Sequence, residues 1–105
     1  MVWVILIVAG LLETVWAAAL EASARFTRLW PTVLFVVALA LSMWGLGHAL
    51  HSLPLGTAYA VWTGIGAVGA AVYGMVFLDD PVTAARLLCL LLIVAGVVGL
   101  RVITT

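Results

Sequence analysis

Charge is scarce in this chain. Of 105 residues only 8% are Asp, Glu, Lys or Arg, four acidic and four basic, and all four basic ones are Arg. Lysine, asparagine and glutamine are absent. A water-soluble domain carries about a quarter of its residues as charges, so a polar surface cannot be assembled here. That argues against a soluble enzyme, a basic nucleic-acid-binding module and a charge-rich disordered segment. Cysteine occurs once, as Cys89 in an apolar run. It forms no intrachain disulfide, leaves the redox compartment open and is read as inert packing.

What fills the chain is apolar: 68% of its residues are hydrophobic. A hydrocarbon slab about 30 Å thick takes roughly 20 helical residues at about 1.5 Å each, so this length fits four spans with almost nothing left over. The first apolar stretch imitates a signal peptide, with Ala17-Ala18-Ala19 in place of a cleavage site. Met1-Val2 supplies no basic n-region and Glu13 interrupts the apolar run, so the segment is read as retained.

The first span is expected at about 2–20, leaving the bilayer at the polar cluster Glu21, Ser23, Arg25, Thr27 and Arg28. From Leu29 to Leu78 there is no Asp, Glu, Lys or Arg, which calls for two spans, about 30–50 and 55–78, broken at His51-Ser52-Leu53-Pro54-Leu55-Gly56. Asp79-Asp80-Pro81 forms the third loop, with Asp80 a candidate N-cap and Pro81 in the first turn of a fourth span at about 83–104. Short loops make this an antiparallel up-down bundle, an all-α membrane protein in which residues 1–105 form a single four-helix transmembrane domain. Arg25, Arg28 and Arg86 lie on one side, and Arg101 with the terminal amine on the other. Three positive charges against two fix no single topology, so insertion in both orientations is expected.

Glu13 is the one ionisable group deep in the slab, about eleven residues or roughly 16 Å into its span. A charged acid there costs several kcal/mol and must face protein or water. On a helical wheel Leu6, Ala9, Gly10, Trp16, Ala17 and Leu20 share its face, with Val4, Val8, Leu11 and Val15 opposite. The small residues let a helix or ligand approach the carboxylate. The competing reading is an acid that only hydrogen-bonds a neighbouring helix.

In the third span Tyr59, Trp62, Thr63, Gly66, Ala70 and Tyr73 fall on one face, aromatic at its edges and small at its centre. Aromatic rings beside a buried carboxylate suit a cation, although Tyr59 and Trp62 also fit an interfacial belt or plain packing. Gly64, Gly66 and Gly69 permit either a bend or tight helix packing. Ser42, near mid-depth in the second span, has the choice of donating to Glu13 or back-bonding to its own helix. Ala95 and Gly99, with Gly96 beside them, form a small-xxx-small pattern suited to a helix interface. His48 and His51 read as interfacial residues, and Arg86 and Arg101 as snorkelling anchors. There is no phosphate loop, nucleophile–base pair or metal-ligand cluster. The reading is therefore not an enzyme, with no cofactor and no metal.

Gly10-x-x-Glu13-x-x-Trp16, Phe26-Thr27-Arg28-Leu29-Trp30-Pro31, and Leu53-Pro54-Leu55-Gly56-Thr57-Ala58-Tyr59-Ala60-Val61-Trp62-Thr63-Gly64-Ile65-Gly66 together resemble the small multidrug resistance transporters over the whole chain. Gly10, Trp16 and Ser42 are similar to the subtype that exports guanidinium rather than bulky aromatic cations. The resemblance implies an antiparallel, dual-topology homodimer in the cell inner membrane, exchanging protons for guanidinium or small organic cations at paired Glu13 side chains. It implies further that Gly10, Trp16, Ser42, Tyr59 and Trp62 line the site and that the third span bends at Gly64 and Gly66. Glu21 stands where the family usually has a lysine, and Arg101 where the guanidinium subtype usually has one. Two rival functions are a broad quaternary ammonium exporter and, from a different class, a non-transporting scaffold or half of a heteromeric pair.

Overall fold

A computed structural model of the chain describes residues 1–103. Long apolar runs with no competing hydrogen-bond partners in lipid satisfy their backbone internally as helices. Four result: α1 (Val2–Ala22), α2 (Leu29–Ala49), α3 (Leu55–Phe77) and α4 (Ala84–Ile103). All four are long and apolar enough to cross a membrane, and no strand occurs among the described residues. The chain is an all-α membrane protein. Against the spans expected at 2–20 and 30–50, α1 runs two residues further and α2 starts one earlier. The end expected near Thr104 lies outside the described residues.

The helix ends explain these shifts. Buried Ser23 closes α1 by donating its hydroxyl to the Leu20 carbonyl (2.7 Å) and accepting the Phe26 N–H (3.1 Å). The next three residues, Ala24, Arg25 and Phe26, all take positive φ (49°, 63° and 67°), a left-handed turn built without glycine. Pro31 sits in the first turn of α2, where its missing N–H has no partner to lose. The N-cap of α4 is not Asp80. Thr83 accepts the Arg86 N–H on its hydroxyl (3.1 Å), the usual N-cap-to-N3 bond, and Pro81 lies outside the helix. Asp80 instead turns back, its N–H bonded to the Gly74 carbonyl (3.1 Å).

α1 is the centre of the bundle, packed on both α2 and α3, while the backbone of α4 runs close to α3 alone. The core is small: Leu6 and Ala9 of α1 meet Leu46 and Ala49 of α2 and Ala58, Val61 and Trp62 of α3. Small residues set the spacing. A Cβ on Gly45 would come within 2.8 Å of Ala9, and one on Gly10 within 2.8 Å of Ile65. α4 has no buried residue.

Candidate functional site

The site grows from the buried face of α1. Leu6, Ala9 and Gly10 are buried there, Trp16 and Ala17 half-buried, and Val4, Val8, Leu11 and Val15 exposed on the far side, as the wheel arranges them. Leu20, on the same stripe, is exposed. Glu13 falls on this face twelve residues into α1. Its carboxyl rests against Gly66 of α3, so closely that any side chain at Gly66 would occupy the same space. Oε2 of Glu13 is buried and has no hydrogen-bond partner.

Two further polar atoms share that condition: Nε1 of Trp16, one turn along α1, and Oγ1 of Thr63, one turn from Gly66 on α3. Buried polar groups are nearly always paired, so these three orphans make this part of α1 and α3 the candidate site. The Trp16 ring meets Phe35 of α2 edge-on, with centroids 5.9 Å apart. Tyr59 lies against Trp62 at 5.7 Å between centroids; the tyrosine is 53% exposed and the tryptophan 5%.

Ser42 does neither of the two things its sequence context suggested. Its hydroxyl donates to the Ala9 carbonyl of α1 (2.7 Å) and accepts the Trp62 indole N–H (2.9 Å). Glu13 is thus not its acceptor: the α1–α2 contact at Gly45 and Ala9 brings the Ala9 carbonyl to Ser42 first. In a helix that carbonyl is also the one that accepts the Glu13 backbone N–H. Ser42 therefore joins all three core helices at a peptide unit one turn before Glu13.

The remaining candidates divide. α3 is helical without interruption through Gly64-Ile65-Gly66, and the two glycines face different neighbours: Gly66 admits Glu13, whereas a Cβ on Gly64 would reach within 2.6 Å of Val97 on α4. Ala95, Gly96 and Gly99 are exposed, and a Cβ on either of these glycines meets nothing within 4 Å. Cys89 is exposed on α4 rather than packed within the subunit. His48 and His51 are exposed, with His48 stacked on Trp44 at 5.5 Å. The Arg101 guanidinium lies 5.0 Å from the centre of the Trp3 ring. No group of three or more metal-ligating side chains occurs among the described residues.

Sequence reasoning passed over Thr14, whose hydroxyl reaches the Gly66 carbonyl at 3.4 Å, and left Thr63 as one member of a stripe. For Thr14 the signal was its place beside Glu13, 100° round the helix and still within reach of α3.

The family model described as Small Multidrug Resistance protein matches residues 1–93. A guanidinium exporter of Yersinia pseudotuberculosis serotype I (strain IP32953) is 54% identical over 101 residues, covering 96% of this chain and 97% of that protein. A guanidinium exporter of Citrobacter freundii is 52% identical over 104 residues, 99% of each chain, and one of Salmonella typhimurium matches to the same extent.

Proposed function

Because the chain belongs to the small multidrug resistance family, we propose that it is a proton-coupled exporter of guanidinium and small guanidinyl cations in the bacterial inner membrane, working as an antiparallel homodimer. One observation carries this reading: the Glu13 carboxyl, midway along a membrane-crossing helix, has a buried oxygen with no partner, in company with the unpartnered Trp16 indole and Thr63 hydroxyl. Guanidinium is planar and donates paired N–H bonds that match a carboxylate. The flanking aromatic faces attract the same charge. A proton and a guanidinium ion need the same ionised oxygens, so each excludes the other. Exclusion combined with alternate exposure to the two sides gives obligatory exchange.

A path for an ion needs walls on every side. The Cα trace of one subunit is 17 Å across its thinnest direction, about two helix layers at the usual 8–10 Å separation. Such a slab does not surround a channel. Two subunits bring eight helices and two Glu13 side chains to one cavity, and the bare Ala95, Gly96 and Gly99 face of α4 supports a helix interface between them. The balance of three positive charges against two, counting Arg101 with the terminal amine, supports opposite insertion of the partners. In this reading Gly10, Trp16, Tyr59 and Trp62 line the cation site, Ser42 holds Trp62 and α1 in place, and Gly64 and Gly66 allow α3 to bend as the site changes sides.

The test is uptake by the purified protein in proteoliposomes under a proton gradient. Guanidinium is expected to be exchanged and a quaternary ammonium ion with bulky aromatic substituents is not. Equal transport of both would replace this reading with a broad multidrug exporter. Transport of neither would leave a scaffold or half of a heteromeric pair.

A further inference from the structure

Thr14 lies outside the cation site described above, yet it is tied to the same stretch of α3 as Glu13. Its hydroxyl is 3.4 Å from the Gly66 carbonyl oxygen, a weak contact beyond the roughly 2.5–3.0 Å of a strong O–H···O bond. Its side chain also fits against Gly69, where an added Cβ would overlap Oγ1. Gly66 is the residue against which the Glu13 carboxyl rests. Consecutive residues of α1 thus sit in two notches of α3, three positions apart and therefore on one face. A threonine inside a helix ordinarily bonds back to its own helix three or four residues earlier. Here the donor crosses to α3.

We propose that Thr14 is a positioning residue: anchored by the Gly66 carbonyl and the Gly69 notch, it fixes how deeply the Glu13 carboxyl sits between α1 and α3, and hence how Glu13 divides its time between proton and cation. The cation half of this inference rests on the proposed function, and the proton half does not. Within the subunit no other carboxylate or strong base competes for the position; in the proposed dimer the second copy of Glu13 is the one carboxylate that faces it, so the midpoint followed is that of the pair. Glu21, Asp79, Asp80, the two histidines and the four arginines all lie at helix ends or in loops, and the only other titratable groups along the α3 face are the phenols of Tyr59 and Tyr73.

The experiment follows the protonation of Glu13 directly, by NMR of the full-length dimer in bilayers with carboxyl-labelled glutamate. The Glu13→Gln variant separates its signal from that of Glu21. Thr14→Val removes the hydroxyl with little change in shape, Thr14→Ser keeps it, and Gly69→Ala fills the notch. An interhelical hydrogen bond in a membrane averages about 0.6 kcal/mol, so its full transmission to Glu13 would be roughly a threefold change in proton affinity, or about half a pH unit in the titration midpoint. That shift is expected in Thr14→Val and Gly69→Ala, with recovery in Thr14→Ser. In a Thr14→Ala protein, where the overlapping hydroxyl is gone, Gly69→Ala should move the midpoint less than it does alone.

A packing role without positioning lowers thermal stability and leaves the midpoint where it was. A midpoint within about 0.2 units of the unaltered protein in a well-folded Thr14→Val dimer overturns the inference. Should Thr14→Val not fold, equal shifts from Gly69→Ala with and without the Thr14 hydroxyl overturn it as well. Guanidinium affinity measured on the same samples keeps the two readings apart. If the unaltered protein binds no guanidinium, the proposed export fails, while the titration still decides the role of Thr14.

Discussion

Replacing Glu13 by Gln keeps the side chain's size and hydrogen-bonding groups but removes the charge that a proton or a cation needs. Glu13→Gln should therefore abolish coupled guanidinium uptake into proteoliposomes while the protein still elutes as a folded dimer. Glu13→Asp keeps the charge one methylene further from Gly66 and should retain part of the activity. Competition for the same oxygens has a sign: as pH falls, protons occupy Glu13 and guanidinium affinity must drop. Binding isotherms between about pH 8 and pH 5.5 measure it, and since even an unperturbed glutamate titrates near 4.3, a flat response across that window would remove competition as the coupling mechanism. Ser42 belongs to the same scale. Ser42→Ala leaves the Trp62 indole N–H buried without its acceptor, a loss of about 1–3 kcal/mol that thermal unfolding in detergent should register.

Among the helices, α1 and α4 occupy opposite situations. α1 is held on two sides, at Gly45–Ala9 by α2 and at Gly10–Ile65 and Glu13–Gly66 by α3. α4 rests on α3 through contacts such as Val97 at Gly64 and keeps its small residues free. Enlarging those free positions should leave the subunit intact and act on assembly. Gly96→Leu combined with Gly99→Leu is expected to preserve helicity by circular dichroism while shifting the protein from dimer to monomer in size-exclusion chromatography. A full loss of helicity would instead show that α4 needs these glycines within its own subunit.

For the molecule as a whole, the near-balance of positive charges, three against two, bears on the orientation in which a subunit inserts and so on the assembly proposed. Four lysines added to the second loop near Ser52 would turn three charges against two into three against six, and so commit every subunit to one orientation. Such a protein should be inactive alone and regain guanidinium transport when co-expressed with a partner locked the other way. Normal transport by the single locked variant would require a parallel dimer. The thin dimension of one subunit and the unburied α4 agree with a protein completed by a second copy.

The four helices and their approximate limits were legible in the sequence, because apolar length against bilayer thickness is a one-dimensional property. So was the buried face of α1, since a helix converts spacing directly into direction. An acid in a membrane helix announced itself by its cost. Other features depended on which helices approach and how closely, and no helical wheel contains that. Ser42 found its acceptor on Ala9 because α2 comes within a glycine's width of α1. Gly64 and Gly66, two residues apart, received different partners because α3 lies between α4 and α1. Thr83 rather than Asp80 capped α4 once the chain turned back onto Gly74. Local periodicity set what each helix could bury; tertiary approach chose which hydroxyls and carbonyls met across it, including the pair of α3 notches that receive Glu13 and Thr14.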